Sequence, residues 1–313
     1  MTVALVLPGQ GSQRPGAGAP WRGTPGWALV ERAGDLLGED LEGLLLHADA
    51  ERLRGTREAQ LSTLLVSLMA LRALPADLPV AAVAGHSLGE VTALVVAGVL
   101  AEDDAVRLVS ERGAAMREAQ DAAPGTMAAV LGLEDEVVAQ VCAGAGDVWP
   151  ANLNAPRHVV VSGTVAAVAA VTPLLKAAGG RRVLPLPVGG AFHTPLMAPA
   201  RPRLDAALAS VAFAPPRVPV LSGVTARPYD GDVARLLSEQ LTAPVLWRQV
   251  LQALPPAVDV VVEVGPGSVL TGLVTRTLPG VRALSVAVPD DLDHLDHLEH
   301  LDHLEHLDHL EQL

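Results

Sequence analysis

Cysteine is nearly missing from this chain. Cys142 is the single one in 313 residues, so no intramolecular disulfide can form, and a reducing compartment is implied. It lies in EDEVVAQVCAGAG, which reads as a short helix with no basic neighbour to lower the thiol pKa, and so as a packing residue. Aromatics are scarce too: 4 Trp, 1 Tyr and 2 Phe leave Ala, Val and Leu to fill the core of a chain that is 50% hydrophobic. Lys176 is the only lysine among 22 basic residues, and no basic stripe with interleaved aromatics exists, so a nucleic-acid partner is not expected. No apolar run reaches the ~18 residues that a membrane span requires. The opening MTVALVLPGQG lacks a positive n-region and a small-residue cleavage pattern, and reads as a strand, not a signal peptide. A cytoplasmic protein without membrane association is expected.

The formal charge of −13 is unevenly spread. Nine carboxylates and no Lys or Arg fall between Asp290 and Leu313, and the remainder holds 26 acidic against 22 basic residues, a net of −4. From Asp293 the chain repeats acid-His-Leu. A period of three matches neither helix nor strand, so residues 290–313 read as a solvated low-complexity tail. Its HxxH spacings could take up divalent metal adventitiously; no metal site is expected in the body.

The body alternates short apolar runs with helical patterns. Strands are predicted at Thr2–Leu7 and Val80–Ala84, with helices around Ala28–Leu37, Ala59–Leu74 and Gly89–Leu100. Buried strands interleaved with helices imply a parallel sheet covered on both faces. From Thr126 the rhythm becomes β-α-β-β-α-β: TMAAVLGL, DEVVAQVCAG, a hairpin in WPANLNAPRHVVVSG turning at Asn154-Ala-Pro156, TVAAVAAVTPLLKAAGG, and RRVLPLPV. Strands at Val218–Leu221 and Val258–Val264 follow. The fold class is therefore α/β: a discontinuous parallel-sheet domain of the α/β-hydrolase-like kind, residues 1–124 and 191–289, with a ferredoxin-like α+β subdomain at 125–190.

Gly85-His-Ser-Leu-Gly89 is a G-x-S-x-G pentapeptide between a predicted strand and a predicted helix. Ser87 is either an ordinary turn serine or a nucleophile held on a sharp, strained bend that needs small residues two before and two after it. In the second case the Leu88 amide points to where an oxyanion would form. A serine hydroxyl needs an adjacent base, and outside the tail the histidines are His47, His86, His158 and His193. His86 neighbours the serine in sequence, but its side chain is expected to point elsewhere.

GHSLGE, together with LPGQGSQ at residues 7–13, resembles the malonyl-CoA:acyl carrier protein transacylase family, which includes the acyltransferase domains of fatty acid and polyketide synthases. The resemblance runs through most of residues 1–289 and implies the inserted ferredoxin-like unit. It implies an oxyanion hole made by the Gln10 and Leu88 amides. His193, in Gly189-Gly-Ala-Phe-His-Thr-Pro195, matches the family's A-F-H-[ST] segment and becomes the general base. Arg112, in Glu111-Arg-Gly113, becomes the clamp for the free carboxylate of a malonyl group. Phe192 is expected beside the malonyl C2 and favours malonyl over methylmalonyl; Gln60 is expected near the pocket. No carboxylate completes a triad: the family uses a backbone carbonyl to orient the histidine, and that position maps to Leu246. His158 and Gly223 depart from the residues that relatives usually carry.

What the resemblance implies is a ping-pong transfer from malonyl-CoA to the phosphopantetheine thiol of an acyl carrier protein, without metal or redox cofactor, by a monomer. The same chemistry could serve a polyketide synthase as a discrete acyltransferase, or malonate decarboxylase as its malonyl-transfer subunit. In a different class, the protein would be an acyl-thioester hydrolase.

Overall fold

The computed structural model describes residues 1–295. Among these, nine strands form two sheets. Strands β1 (Val3–Leu7), β2 (Val80–Gly85), β7 (Val220–Leu221), β8 (Val260–Val264) and β9 (Arg282–Val286) make a parallel sheet in the order β7-β2-β1-β8-β9. β1 and β8 are buried at every position, as a sheet covered by helices on both faces requires. A hydrophobic cluster built mostly of Leu, Val and Ala lies on one face, with Trp21 and Trp27 filling its larger gaps. A second, around Trp247, lies on the other.

The second sheet consists of β3 (Gly125–Leu131), β4 (Val148–Ala155), β5 (His158–Thr164) and β6 (Arg182–Pro185), antiparallel throughout in the order β4-β5-β3-β6. With the helices Asp135–Ala143 and Val165–Ala177 between its strands, this is the β-α-β-β-α-β unit and sheet order of a ferredoxin-like fold. The protein is α/β, a parallel-sheet unit carrying an inserted α+β unit. Cys142 packs inside the inserted unit, where burial pushes its thiol up to about 11. Two backbone hydrogen bonds join β4 to the larger unit: Val245 N–H donates to Ala151 O and Leu153 N–H to Val245 O, both at 2.9 Å.

Three local expectations are corrected. The hairpin turns at Pro156-Arg157, with Arg157 at φ 58°, while Asn154 stays in β4. The helix after β2 stops at Val96, because Gly98 takes φ 71° and turns the chain. The acidic tail does not begin at Asp290: the Asp291 carboxylate accepts from the Ala287 and Val288 amides, Pro289–Leu292 forms a 3₁₀ turn, and Leu295 is buried in the main core. The rest of that segment, 296–313, lies outside the described residues. No helix among the described residues is long and apolar enough to cross a membrane.

The register of the parallel sheet places the site. Leu7 pairs with Gly85, so β1 and β2 end at the same level. The loops that follow, Pro8–Gln13 and His86–Leu88, therefore emerge side by side at the carboxyl edge, and the His86 amide donates to Leu7 O at 3.0 Å.

Candidate active site

The sequence around Ser87 leaves the backbone one way to turn. A Cβ on Gly85 would lie 1.9 Å from the Gly89 carbonyl carbon, and one on Gly89 would lie 2.0 Å from Leu7 O. Only glycine fits at either place, and the turn between them drives Ser87 to φ 53°, the left-handed region. The partly exposed Ser87 then stands at the sheet edge, just ahead of the helix Gly89–Val96, whose N-cap is Leu88. The amides of Gln10 and Leu88 donate no hydrogen bond to any described residue, so both are free to receive an oxyanion. His86 does turn away: its Nε2 donates to Asn154 Oδ1 at 2.9 Å and its ring meets Trp247 edge-on at 5.3 Å.

His193 reaches Ser87 from far along the chain. Thr194 fixes the approach, its hydroxyl donating to Ala191 O at 2.6 Å and accepting from the Leu196 amide at 3.3 Å. His193 itself adopts φ 60° and is buried. Its Nε2 lies 2.8 Å from Ser87 Oγ, and its Nδ1 lies 2.8 Å from Gln240 O. A carbonyl only accepts, so Nδ1 carries the proton and the Nε2 lone pair faces the hydroxyl. Burial first, and the nearby Arg112 charge second, push His193 down to about 3, which keeps the imidazole neutral.

The orienting carbonyl is thus Gln240, not Leu246. Leu246 caps the helix Trp247–Gln252, its carbonyl accepts from the Val250 amide at 2.9 Å, and its own amide donates to Gly223 O at 2.8 Å. Heading a helix commits that carbonyl to the first intrahelical bond.

Arg112 projects from the helix Glu102–Ala122 and is 2% exposed. It donates to Gln60 Oε1 at 2.7 Å, to Gln240 Oε1 at 3.0 Å and to Ser87 Oγ at 3.2 Å. Burial lowers its pKa to about 10, with the Glu90 charge acting the other way, so it remains a cation at neutral pH. Among the described residues all its hydrogen-bond partners are neutral, and no carboxylate touches it directly. Gln60 is fully buried, with its Nε2 on Met116 Sδ at 3.3 Å. Phe192 is buried in the main hydrophobic cluster, immediately before His193 in the chain.

Two residues that the sequence reading missed complete the site. Gln240 touches Arg112, His193 and the Ser87 carbonyl (Nε2 to O, 3.2 Å) at once. Glu90, fully buried, accepts from Gln240 Nε2, from the Tyr229 hydroxyl and from the Gly223 amide at 3.1 Å. Burial pushes its pKa up, and these donors oppose that. The departures are resolved differently: Gly223 supplies its amide to Glu90, whereas His158 opens β5 with a buried Nδ1 that no partner meets.

Between the two units a groove of about 520 Å³ leads to His193. Trp149, Pro150 and Leu153 line one wall; Pro195, Pro244 and Gln249 line the other. Arg248 and Asp135 close across it as an ion pair at 2.7 Å. A neutral base on a strained serine, free amides beside it, a buried cation behind it and an apolar slot in front together suit attack on an acyl group that bears a negative charge.

Residues 4–291 match the family described as the acyl transferase domain. The malonyl CoA-acyl carrier protein transacylase of Escherichia coli (strain K12) is 40% identical over 298 residues, covering 91% of this chain and 96% of that protein. Among solved structures, the malonyl-CoA:acyl carrier protein transacylase of Xanthomonas oryzae has a TM-score of 0.89 at 39% identity, covering 94% of this chain and 98% of that one. The malonyl-transacylase PlMCAT, solved with the type II polyketide synthase acyl-carrier protein AntF, has a TM-score of 0.88 at 34% identity and covers 93% and 98%. The match includes both loops at the sheet edge and the inserted unit, and this chain belongs to the acyl transferase domain family.

Proposed function

We propose that the protein transfers a malonyl group from malonyl-CoA to the phosphopantetheine thiol of an acyl carrier protein through an ester on Ser87. The observation that carries this reading is the position of Ser87 Oγ, 2.8 Å from a neutral imidazole nitrogen and 3.2 Å from a buried guanidinium. The imidazole accounts for nucleophilic attack. The guanidinium accounts for the choice of acyl group, since it binds a carboxylate through paired hydrogen bonds and keeps its charge when buried.

In the first half-reaction Oγ bonds to the thioester carbonyl carbon while its proton passes to His193 Nε2. The carbonyl oxygen becomes an anion facing the Gln10 and Leu88 amides, each of which is worth about 3 kcal/mol in the transition state. The C–S bond breaks and the proton on Nε2 goes to the departing CoA sulfur. The second half-reaction repeats these steps in reverse, with the carrier thiol giving its proton to Nε2 and attacking the seryl ester. Gln240 O holds the Nδ1 proton throughout, so the ring never has to turn. The apolar slot beside His193 receives the thioester arm, and Phe192 limits space beside the malonyl C2. These steps call for no metal or redox cofactor. The larger unit, 1–124 and 191–289, carries the chemistry; the smaller, 125–190, forms one wall of the slot. The lone, buried thiol suits a cytoplasmic setting.

The test is mass spectrometry after brief exposure to malonyl-, methylmalonyl- and acetyl-CoA. A malonyl adduct on Ser87, missing in Ser87→Ala and formed faster than the other two, is the expected result. Equal labelling by acetyl-CoA overturns the role of Arg112, and full-rate CoA release without carrier protein makes the protein a hydrolase. The likeness to a transacylase solved with a polyketide synthase carrier favours a second reading of the acceptor, tested by supplying fatty-acid and polyketide carrier proteins in turn.

A further inference from the structure

We infer that Glu90 is a positioning residue that sets the direction of the Gln240 carboxamide and thereby aims the Arg112 guanidinium. The inference rests on the reading of Arg112 as the clamp for the acyl carboxylate.

Glu90 stands in the first turn of the helix behind Ser87, with no exposed surface. Its Oε1 accepts from the Gly223 amide and the Tyr229 hydroxyl, and its Oε2 accepts from Gln240 Nε2. The Gly223 amide and Gln240 Nε2 can only donate, and the Tyr229 and Ser222 hydroxyls add donors; together they favour the carboxylate anion against the burial that pushes its pKa up. The Gln240 carboxamide lies between this anion and Arg112, whose Nη2 donates to Gln240 Oε1 at 3.0 Å. A carboxylate can only accept and a guanidinium can only donate, whereas a carboxamide has one face of each kind. Gln240 therefore has one orientation that satisfies both sides. The same orientation lets Nε2 reach the Ser87 carbonyl.

Arg112 has a second acceptor in Gln60, but the far side of that carboxamide meets only the Met116 sulfur, a weak acceptor that fixes its direction loosely. The polarity of the clamp thus comes from Glu90. Gly223 leaves room for this approach: a Cβ there would stand 3.0 Å from Glu90 Oε2, tight enough to push the carboxylate aside slightly.

Glu90→Gln keeps the shape and reverses one contact. Its oxygen must stay on the Gly223 amide, which cannot accept, so its NH₂ faces Gln240 Nε2 donor to donor. Gln240 then turns over and presents NH₂ to Arg112, displacing the guanidinium. Tyr229→Phe removes one donor from Oε1 and leaves the contact with Gln240 intact.

The experiment measures acylation of Ser87 by malonyl-CoA and by acetyl-CoA, and its sulfonylation by phenylmethylsulfonyl fluoride, in wild type, Glu90→Gln and Tyr229→Phe. In Glu90→Gln the malonyl preference should fall by at least about tenfold, the scale of one hydrogen bond to a charged group, while sulfonylation stays close to the wild-type rate. Tyr229→Phe should keep both. A Glu90→Gln protein that retains the malonyl preference overturns the inference. So does one that loses sulfonylation as well or fails to fold, because Glu90 then serves the fold and not the clamp. A wild type without malonyl preference overturns the reading of Arg112 itself, a result separate from the other two.

Discussion

Ser87 and His193 face each other 2.8 Å apart, and both hold the left-handed backbone conformation, at φ 53° and φ 60°. For residues with a Cβ that conformation costs about 1–2 kcal/mol each. Strained dihedrals persist only where surrounding structure over-determines them. Here the Gly85–Gly89 contact fixes one bend, and Thr194 with the Gln240 carbonyl fixes the other. The Ser87 and His193 side chains are thus pre-set by the backbone before any ligand arrives.

The first prediction concerns that strain. Ser87→Gly should be more stable than Ser87→Ala by about 1 kcal/mol, because glycine alone adopts the bend freely. Urea unfolding of the two inactive variants measures this. Equal stabilities contradict a strained bend.

A second prediction follows from the neutral imidazole. With His193 held at about 3, the rate of Ser87 sulfonylation should stay level from pH 7.5 down to pH 5. A rate that halves near pH 6.5 contradicts it. The ordinary value is 6.5, so between pH 6.5 and pH 3 the unfolded chain binds a proton that the folded one refuses. The stability this group contributes is therefore fully present above pH 6.5 and is lost on acidification, at up to about 1.4 kcal/mol per pH unit. His193→Asn removes the effect, and its stability difference from wild type should change with that slope.

Arg112→Ala should separate two kinds of substrate. Acylation by malonyl-CoA should drop on the order of 10²-fold, the scale of a lost pair of charge-assisted hydrogen bonds, while acetyl-CoA should be affected far less. Equal losses for both would mean that Arg112 supports only the serine.

Gly89→Ala places a methyl group where Leu7 O already lies 2.0 Å away. Forcing β1 and the nucleophile helix apart should cost about 3 kcal/mol, visible as a lowered thermal midpoint. A midpoint unchanged from wild type would mean that the two loops are not locked together.

What could be read from the sequence was local. The pentapeptide around Ser87 announces itself because its glycines answer a steric demand within five residues. β1 and β2 are continuous apolar runs, and β8 is one broken only by Glu263. Gln240 carries no such mark: LLSEQLTAP reads as an ordinary helix end, and its contacts with Arg112, His193 and Glu90 exist only after the chain has folded. Leu246 misled because the resemblance to the family was mapped onto it, a residue whose carbonyl is taken by the helix that starts there. β9 was missed for a related reason. RALSV is only half buried at the sheet edge, so it lacks the apolar run that marked its neighbours. In the hairpin, Asn154-Ala-Pro156 has turn composition, yet the Asn154 side chain is needed in β4 to receive His86.

The central position of β1 has a consequence for how the chain is born. Val3 pairs with Val80 on one side and with Val260 on the other. β1 is therefore made roughly 250 residues ahead of its second neighbour, β8. The ferredoxin-like insert, drawn from one continuous segment, can close its sheet earlier. Contacts so distant along the chain make assembly slow, and the fully apolar first strand is the segment that must be shielded from other nascent chains meanwhile.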